Sequence, residues 1–132
     1  MSRSNEYMML LRNTDWDEGL SVEEITRFVG HYTEWFDRML AEGKVTGGRP
    51  LIAGGRMVAL SSGDKVLDGP FIESKEAIGG FILLHAEDLA AAVEIARTFP
   101  PVQRGVQVEV RELTDICPIS QRLEARLATT TN

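Results

Sequence analysis

Gly79-Gly80-Phe81-Ile82-Leu83-Leu84-His85-Ala86-Glu87-Asp88-Leu89 passes from an apolar strand straight into the start of a helix. The run from Gly79 to His85 shows no polar alternation, which suits a central strand. Glu87 and Asp88 fit the positive end of a helix dipole. Leu89, Ala92, Val93 and Ala96 then repeat at helical spacing as a narrow buried stripe, and Pro100-Pro101 ends that helix. Further on, Val106, Val108 and Val110 alternate with Gln107, Glu109 and Arg111, the period of a strand buried on one face.

The same reading extends toward the N-terminus. Tyr7 to Arg12, with Met8, Met9, Leu10 and Leu11, is an apolar strand that suits cover on both faces. Ser21 followed by Glu24 is a capping box. Behind it Val22, Ile25, Phe28, Val29, Tyr32, Trp35, Phe36, Met39 and Leu40 predict one wide apolar helix face from Ser21 to Glu42. Gly43 supplies the stop. Gly47, Gly48, Gly54, Gly55 and Gly63 punctuate the middle. There Met57–Leu60 and Lys65–Leu67 read as short strands joined through Ser61-Ser62-Gly63-Asp64.

The resulting order, β-α-β-β-β-α-β with the two short strands as a hairpin insertion or edge, is the split βαβ of a ferredoxin-like α+β fold. Two helices cover one face of its antiparallel sheet. The other face must also be buried, and a second copy of the chain is the expected cover, making a homodimer. Ile119, Leu123 and Leu127, four apart after Pro118, predict a short C-terminal helix that docks on the domain or on the partner subunit.

Composition sets the outer limits. The 132 residues fit one domain, 43% hydrophobic and 26% charged, an ordinary globular balance. The net charge of −6 disfavours nucleic acid and anionic membrane as partners. No apolar run reaches membrane-span length and no signal-peptide pattern is present. Cys117, the sole cysteine, cannot form an intrachain disulfide and fits a reducing cytoplasm. Two distant histidines and that cysteine lack metal-ligand spacing, so no metal is expected. No phosphate-binding loop or nucleophile elbow occurs, so no cofactor is expected either.

One motif is more specific than a fold. Asp68-Gly69-Pro70-Phe71-Ile72-Glu73-Ser74-Lys75-Glu76-Ala77-Ile78-Gly79-Gly80-Phe81 resembles the signature of the YCII-related family, in its DGPF subgroup. Glu6–Leu11, Leu40–Lys44 and Val108–Glu112 support the resemblance, which spans residues 5 to 113 and leaves 114–132 as an extension of a single domain. It implies a ferredoxin-like dimer of the kind called a dimeric α+β barrel, and it leaves the activity open.

His31 and Asp68 are the candidate catalytic residues. His31 lies at the edge of the first helix's apolar face, where an imidazole can titrate near neutral pH. In the family a first-helix histidine paired with an aspartate is the suggested centre, and His31 looks like the matching position. The plainer reading is a surface histidine covering Trp35. Asp68 opens the DGPF turn, either as a base or orienting partner of His31 or as a brace for its own turn. Shorter relatives carry Asp-Pro after the second helix; here the place reads Phe99-Pro100.

Arg12, Phe71 and Lys75 are the candidate substrate-binding residues. Arg12 could fork onto a carboxylate, or instead form a salt bridge. Lys75 could contact substrate or pair with Glu73 and Glu76 on a solvated loop. His85 reads as structural, and Cys117 as a tail residue.

Two functions follow. One is a small cofactor-free acid–base enzyme, of isomerase or lyase type, for a small cyclic or aromatic molecule. The other is a non-catalytic ligand-binding or regulatory module, since DGPF proteins resemble partners of extracytoplasmic-function sigma factors.

Overall fold

The computed structural model describes residues 5–12, 15–59, 65–68 and 78–130, with the side chains of 59 and 65–68 left aside. Its elements are β1 (Glu6–Arg12), α1 (Val22–Ala41), β2 (Val45–Pro50), β3 (Arg56–Ala59), β4 (Lys65–Asp68), β5 (Ile78–His85), α2 (Leu89–Arg97), β6 (Gln107–Glu112) and α3 (Pro118–Thr130). The main sheet runs β2-β5-β1-β6, with every neighbouring pair antiparallel. Among the described residues β3 and β4 pair only with each other, antiparallel, and lie in sequence between β2 and β5. This is the ferredoxin-like split βαβ, an α+β fold.

Local chemistry explains the helix ends. Ser21 Oγ accepts from the Glu24 amide at 3.1 Å, and Glu24 Oε1 accepts from the Ser21 amide at 3.1 Å, so the capping box is closed. At the other end Gly43 turns left-handed at φ 75°, a conformation that costs glycine nothing. Its amide reaches the Leu40 carbonyl, and the Lys44 amide reaches that of Met39. Those two bonds form a Schellman stop. α2 begins on Asp88, whose carboxylate accepts from the Ala91 amide at 2.8 Å. It ends before Pro100-Pro101, which lead into a short 3-10 turn over Pro100–Arg104.

The core lies between the helices and one sheet face. Tyr7, Met9 and Leu11 of β1 and Ile82 and Leu84 of β5 meet Trp35 and Met39 of α1 and Ala92, Ile95 and Ala96 of α2. Phe99 closes the group, edge-on to Trp35 at 4.9 Å and to Tyr32 at 5.2 Å between ring centroids. Large apolar side chains that are fully buried, such as Met9, Leu84 and Phe99, each contribute about 1.5–3 kcal/mol by leaving water.

Three expectations need correction. The strand Val45–Pro50 was hidden by Gly47, Gly48 and Pro50, residues that ordinarily punctuate loops. It is an edge strand paired with β5, where proline is tolerated. Gly48 is there because β2 runs close to β5: a Cβ on it would stand 2.6 Å from the Phe81 carbonyl oxygen. Second, the buried face of α1 is narrower than its sequence suggested. Val22, Val29 and Leu40 are 80%, 48% and 42% exposed, because the sheet below admits only the stripe centred on Trp35 and Met39. Third, α3 forms over Pro118–Thr130 but buries no residue, so docking on its own domain is not observed.

Candidate functional site

The side chains of a strand alternate between its two faces, so burying Tyr7, Met9 and Leu11 under the helices turns Met8, Leu10 and Arg12 to the other side. The registers carry this across the sheet. Met8 stands opposite Leu83 and Arg111, and Leu10 opposite Phe81 and Glu109. The result is a half-buried apolar row of Met8, Leu10, Phe81 and Leu83 on a face that no described helix covers.

At the edge of this row stands a charged group. Glu109 Oε1 accepts from Arg12 Nη2 at 2.9 Å and from Arg12 Nε at 3.3 Å, and its Oε2 accepts from Arg111 Nη1 at 3.1 Å. Both carboxylate oxygens are therefore taken, each by a different guanidinium. The bonds from Arg111 and Arg12 hold the Glu109 carboxyl below the usual carboxylate range. A group with a lowered folded-state value stabilises the fold above its unfolded value and loses that contribution as pH falls through the folded one. Glu109→Gln is therefore expected to be less stable than wild type toward denaturant at neutral pH. The difference should start to shrink as pH falls below the unfolded glutamate value of about 4.3 and vanish once the folded carboxyl is protonated. A constant difference from pH 7 to pH 3 would contradict this role.

Arg12 is thus engaged by an internal carboxylate, the salt-bridge alternative of its sequence reading. His31 is exposed on α1, on the helix side of the sheet, and its imidazole makes no hydrogen bond or ion pair among the described residues. Asp68 is the last residue of β4, opposite Arg56 in the hairpin; its side chain lies outside the described residues. Phe71 and Lys75 lie outside them too. Phe99, where shorter relatives carry aspartate, is fully buried against Trp35 and Tyr32, so that position holds core aromatic packing and no carboxylate. His85 ends β5 exposed, with its backbone amide donating to the Lys44 carbonyl at 2.9 Å.

A concavity lies on the helix side, between α2, the 3-10 turn and β6. It has a volume of about 280 Å³ and is walled by Leu89, Val93, Val102, Val108 and Val110, with Arg97 as its one charged lining residue. Neither His31 nor Arg12 lines it.

The sequence reading missed three polar features. Glu109 and Arg111 were counted only as the wet face of β6; their register opposite Leu10 and Met8 was the usable signal. The Tyr7 hydroxyl is buried without a hydrogen-bond partner among the described residues, and nothing in an apolar strand announces that. The Cys117 thiol sits at the start of α3, where the backbone N–H groups of Ser120 and Ile119 lower its pKa. Among the described residues no cluster of three or more metal-ligating side chains occurs, and no helix is long and apolar enough to cross a membrane.

Sheet topology and helix placement define a small α+β domain of the split βαβ class. The chain belongs to the YCII-related family, whose domain model matches residues 6–115. Among solved structures it is similar to 5-chloro-2-hydroxyhydroquinone dehydrochlorinase from Burkholderia phenoliruptrix AC1100, in complex with 2,5-dihydroxybenzoquinone. That likeness has 14% identity and a TM-score of 0.48, and covers 83% of this chain and 93% of that one. A search of the curated proteins finds none that matches.

Proposed function

We propose that two copies of the chain pair through their open sheet faces and enclose a chamber for a small cyclic or aromatic molecule. There the protein carries out acid–base chemistry of the isomerase or lyase kind. The observation that carries this reading is the Arg12–Glu109–Arg111 group beside the apolar row of Met8, Leu10, Phe81 and Leu83. Paired faces would supply apolar walls for a ring, and excluding water would strengthen every charge within.

In this reading the arginines do the electrostatic work. A polarised substrate oxygen draws Arg12 from Glu109, and the released carboxylate becomes a stronger base as it loses a partner. Glu109 takes a proton from carbon while the C–H electron pair moves to the oxygen that Arg12 faces; collapse of that anion either takes the proton back from Glu109 at another carbon or expels a leaving group with its bonding pair. His31, on α1, lies across its own sheet from Glu109 and takes no part in this chamber from the same copy.

The test is a conversion screen of hydroxylated aromatic and cyclic carbonyl compounds, followed by chromatography. For a compound turned over by wild type, Arg12→Gln and Glu109→Gln are each expected to cut the rate by about 100-fold or more. His31→Ala and Asp68→Asn are expected to retain most of it. The converse pattern would move the chemistry to the His31–Asp68 pair and overturn the chamber. Saturable binding without any turnover would leave the ligand-binding module in its place.

A further inference from the structure

No residue of α3, a thirteen-residue helix, is buried against the described body of the chain, and its Ile119, Leu123 and Leu127 are 66%, 56% and 55% exposed. Spacing by four puts them on one stripe. A helix of this length is marginal in water without a packing partner. On the body, the cleft between α2 and β6 is the reciprocal feature: an aliphatic trough still open to solvent, with Leu89 49% exposed. Its volume of about 280 Å³ exceeds the roughly 150 Å³ of an apolar cavity that accepts benzene. It therefore has room for more than one aliphatic side chain.

We infer that α3 of one copy seats its Ile119–Leu123–Leu127 stripe in the α2–β6 cleft of a second copy, and receives that copy's helix in return. The connection to α3 favours a second copy over the chain's own body. Pairing with β1 runs on past β6 as the Leu113 amide reaches the Glu6 carbonyl at 2.9 Å. The Thr114 hydroxyl then accepts from the Ile116 amide at 3.1 Å and donates to the Ile116 carbonyl at 3.3 Å. Pro118 fixes the first helical position. This braced link leaves α3 unburied on its own chain.

Charge agrees with the exchange. In a chain of net charge −6, α3 carries Arg122 and Arg126 against Glu124 alone. Around the cleft, Glu87, Asp88 and Glu94 stand against Arg97, which is paired with Glu94 at 3.2 Å, and Arg104 of the 3-10 turn. The excess that remains on the border is acidic, at the Glu87–Asp88 end of α2, opposite in sign to the helix, which orients an encounter. A reciprocal exchange closes on itself with two-fold symmetry and leaves no stripe free to propagate. The contact uses the helix side of the sheet, so it stands or falls apart from the sheet-face pairing, and a chain that makes both contacts assembles beyond a pair.

Two separately prepared chains test it, both carrying Cys117→Ser. One has Leu123→Cys on the helix stripe, the other Val93→Cys in the cleft. Mixed under mild oxidation they are expected to give a disulfide-linked pair containing one of each chain. Docking raises the local concentration of the two thiols, so its yield should exceed by roughly 100-fold that of Glu124→Cys, on another side of the helix, mixed with the same partner. Leu89→Cys, at a half-exposed position, replaces Val93→Cys if the latter does not fold. A yield no higher than the Glu124→Cys control would overturn the exchange. So would a chain carrying both cysteines that closes only within itself, at the mass of a single chain.

Discussion

Trp35→Ala is expected to destabilise the fold by about 3–5 kcal/mol, a large share of the roughly 5–15 kcal/mol that a domain commands. Trp35 is 1% exposed and joins parts that are distant in sequence. Its ring packs edge-on against Phe99, and its indole N–H donates to Thr98 Oγ1 at 2.8 Å, which itself donates to the Ile95 carbonyl at 2.7 Å. One side chain therefore ties α1 to the end of α2. Truncation leaves a cavity, and removes a hydrogen bond that holds the Thr98 hydroxyl in place. Trp35→Phe keeps most of the apolar contact and loses the donor, so about 1–2 kcal/mol is expected there. Urea unfolding monitored by far-UV circular dichroism measures both. A loss under 1 kcal/mol for the alanine variant would mean that the helix layer does not depend on this contact.

Phe81→Asp is expected to weaken self-association about 100-fold or more while leaving the single chain folded. Phe81 stands on the open face of β5, opposite Leu10, where no described helix touches it. A carboxylate there meets water in the separate chain and costs little. Between two paired faces it would be buried without a partner, at about 3–5 kcal/mol for each copy. Every 1.4 kcal/mol is roughly tenfold in the dissociation constant, so even one such charge shifts the balance by two orders of magnitude or more. Thermal unfolding across a dilution series reads this, since association makes the midpoint concentration-dependent. A variant whose midpoint tracks concentration as wild type does would show that Phe81 lies outside the contact.

Much of the fold was legible because local and tertiary signals agree. Ser21, Glu24 and Gly43 mark the ends of α1 by backbone hydrogen bonds that any neighbouring fold would leave unchanged. Asp88 does the same for α2. β2 was not legible, since Gly48 answers to the nearby Phe81 carbonyl on another strand, a tertiary demand that reads locally as a turn. The width of the buried face of α1 was overstated for a related reason. Periodicity shows which residues share a face, and the sheet beneath decides how many of them it covers.

The site was harder to read than the fold. His31 shows the exposure that its position on the helix implies, but exposure alone brings it no partner. Glu109 looked like one polar residue in an alternating strand; its two arginines come from β1 and from β6 itself, and only the pairing register unites them. The stripe of α3 was visible, while its separation from the body follows from a link of a few residues that periodicity does not describe.

Light scattering coupled to size exclusion, on the chain with Phe81 intact and on Phe81→Asp at matched micromolar concentrations, is the most direct test of pairing through the open sheet face. Both chains also carry Leu123→Asp, which silences the α3 exchange, so the expected result is twice the chain mass of 14.6 kDa with Phe81 intact, falling toward 14.6 kDa with Phe81→Asp on dilution. Single mass throughout with Phe81 intact, or a Phe81→Asp dimer as tight as its Phe81 counterpart, would contradict it.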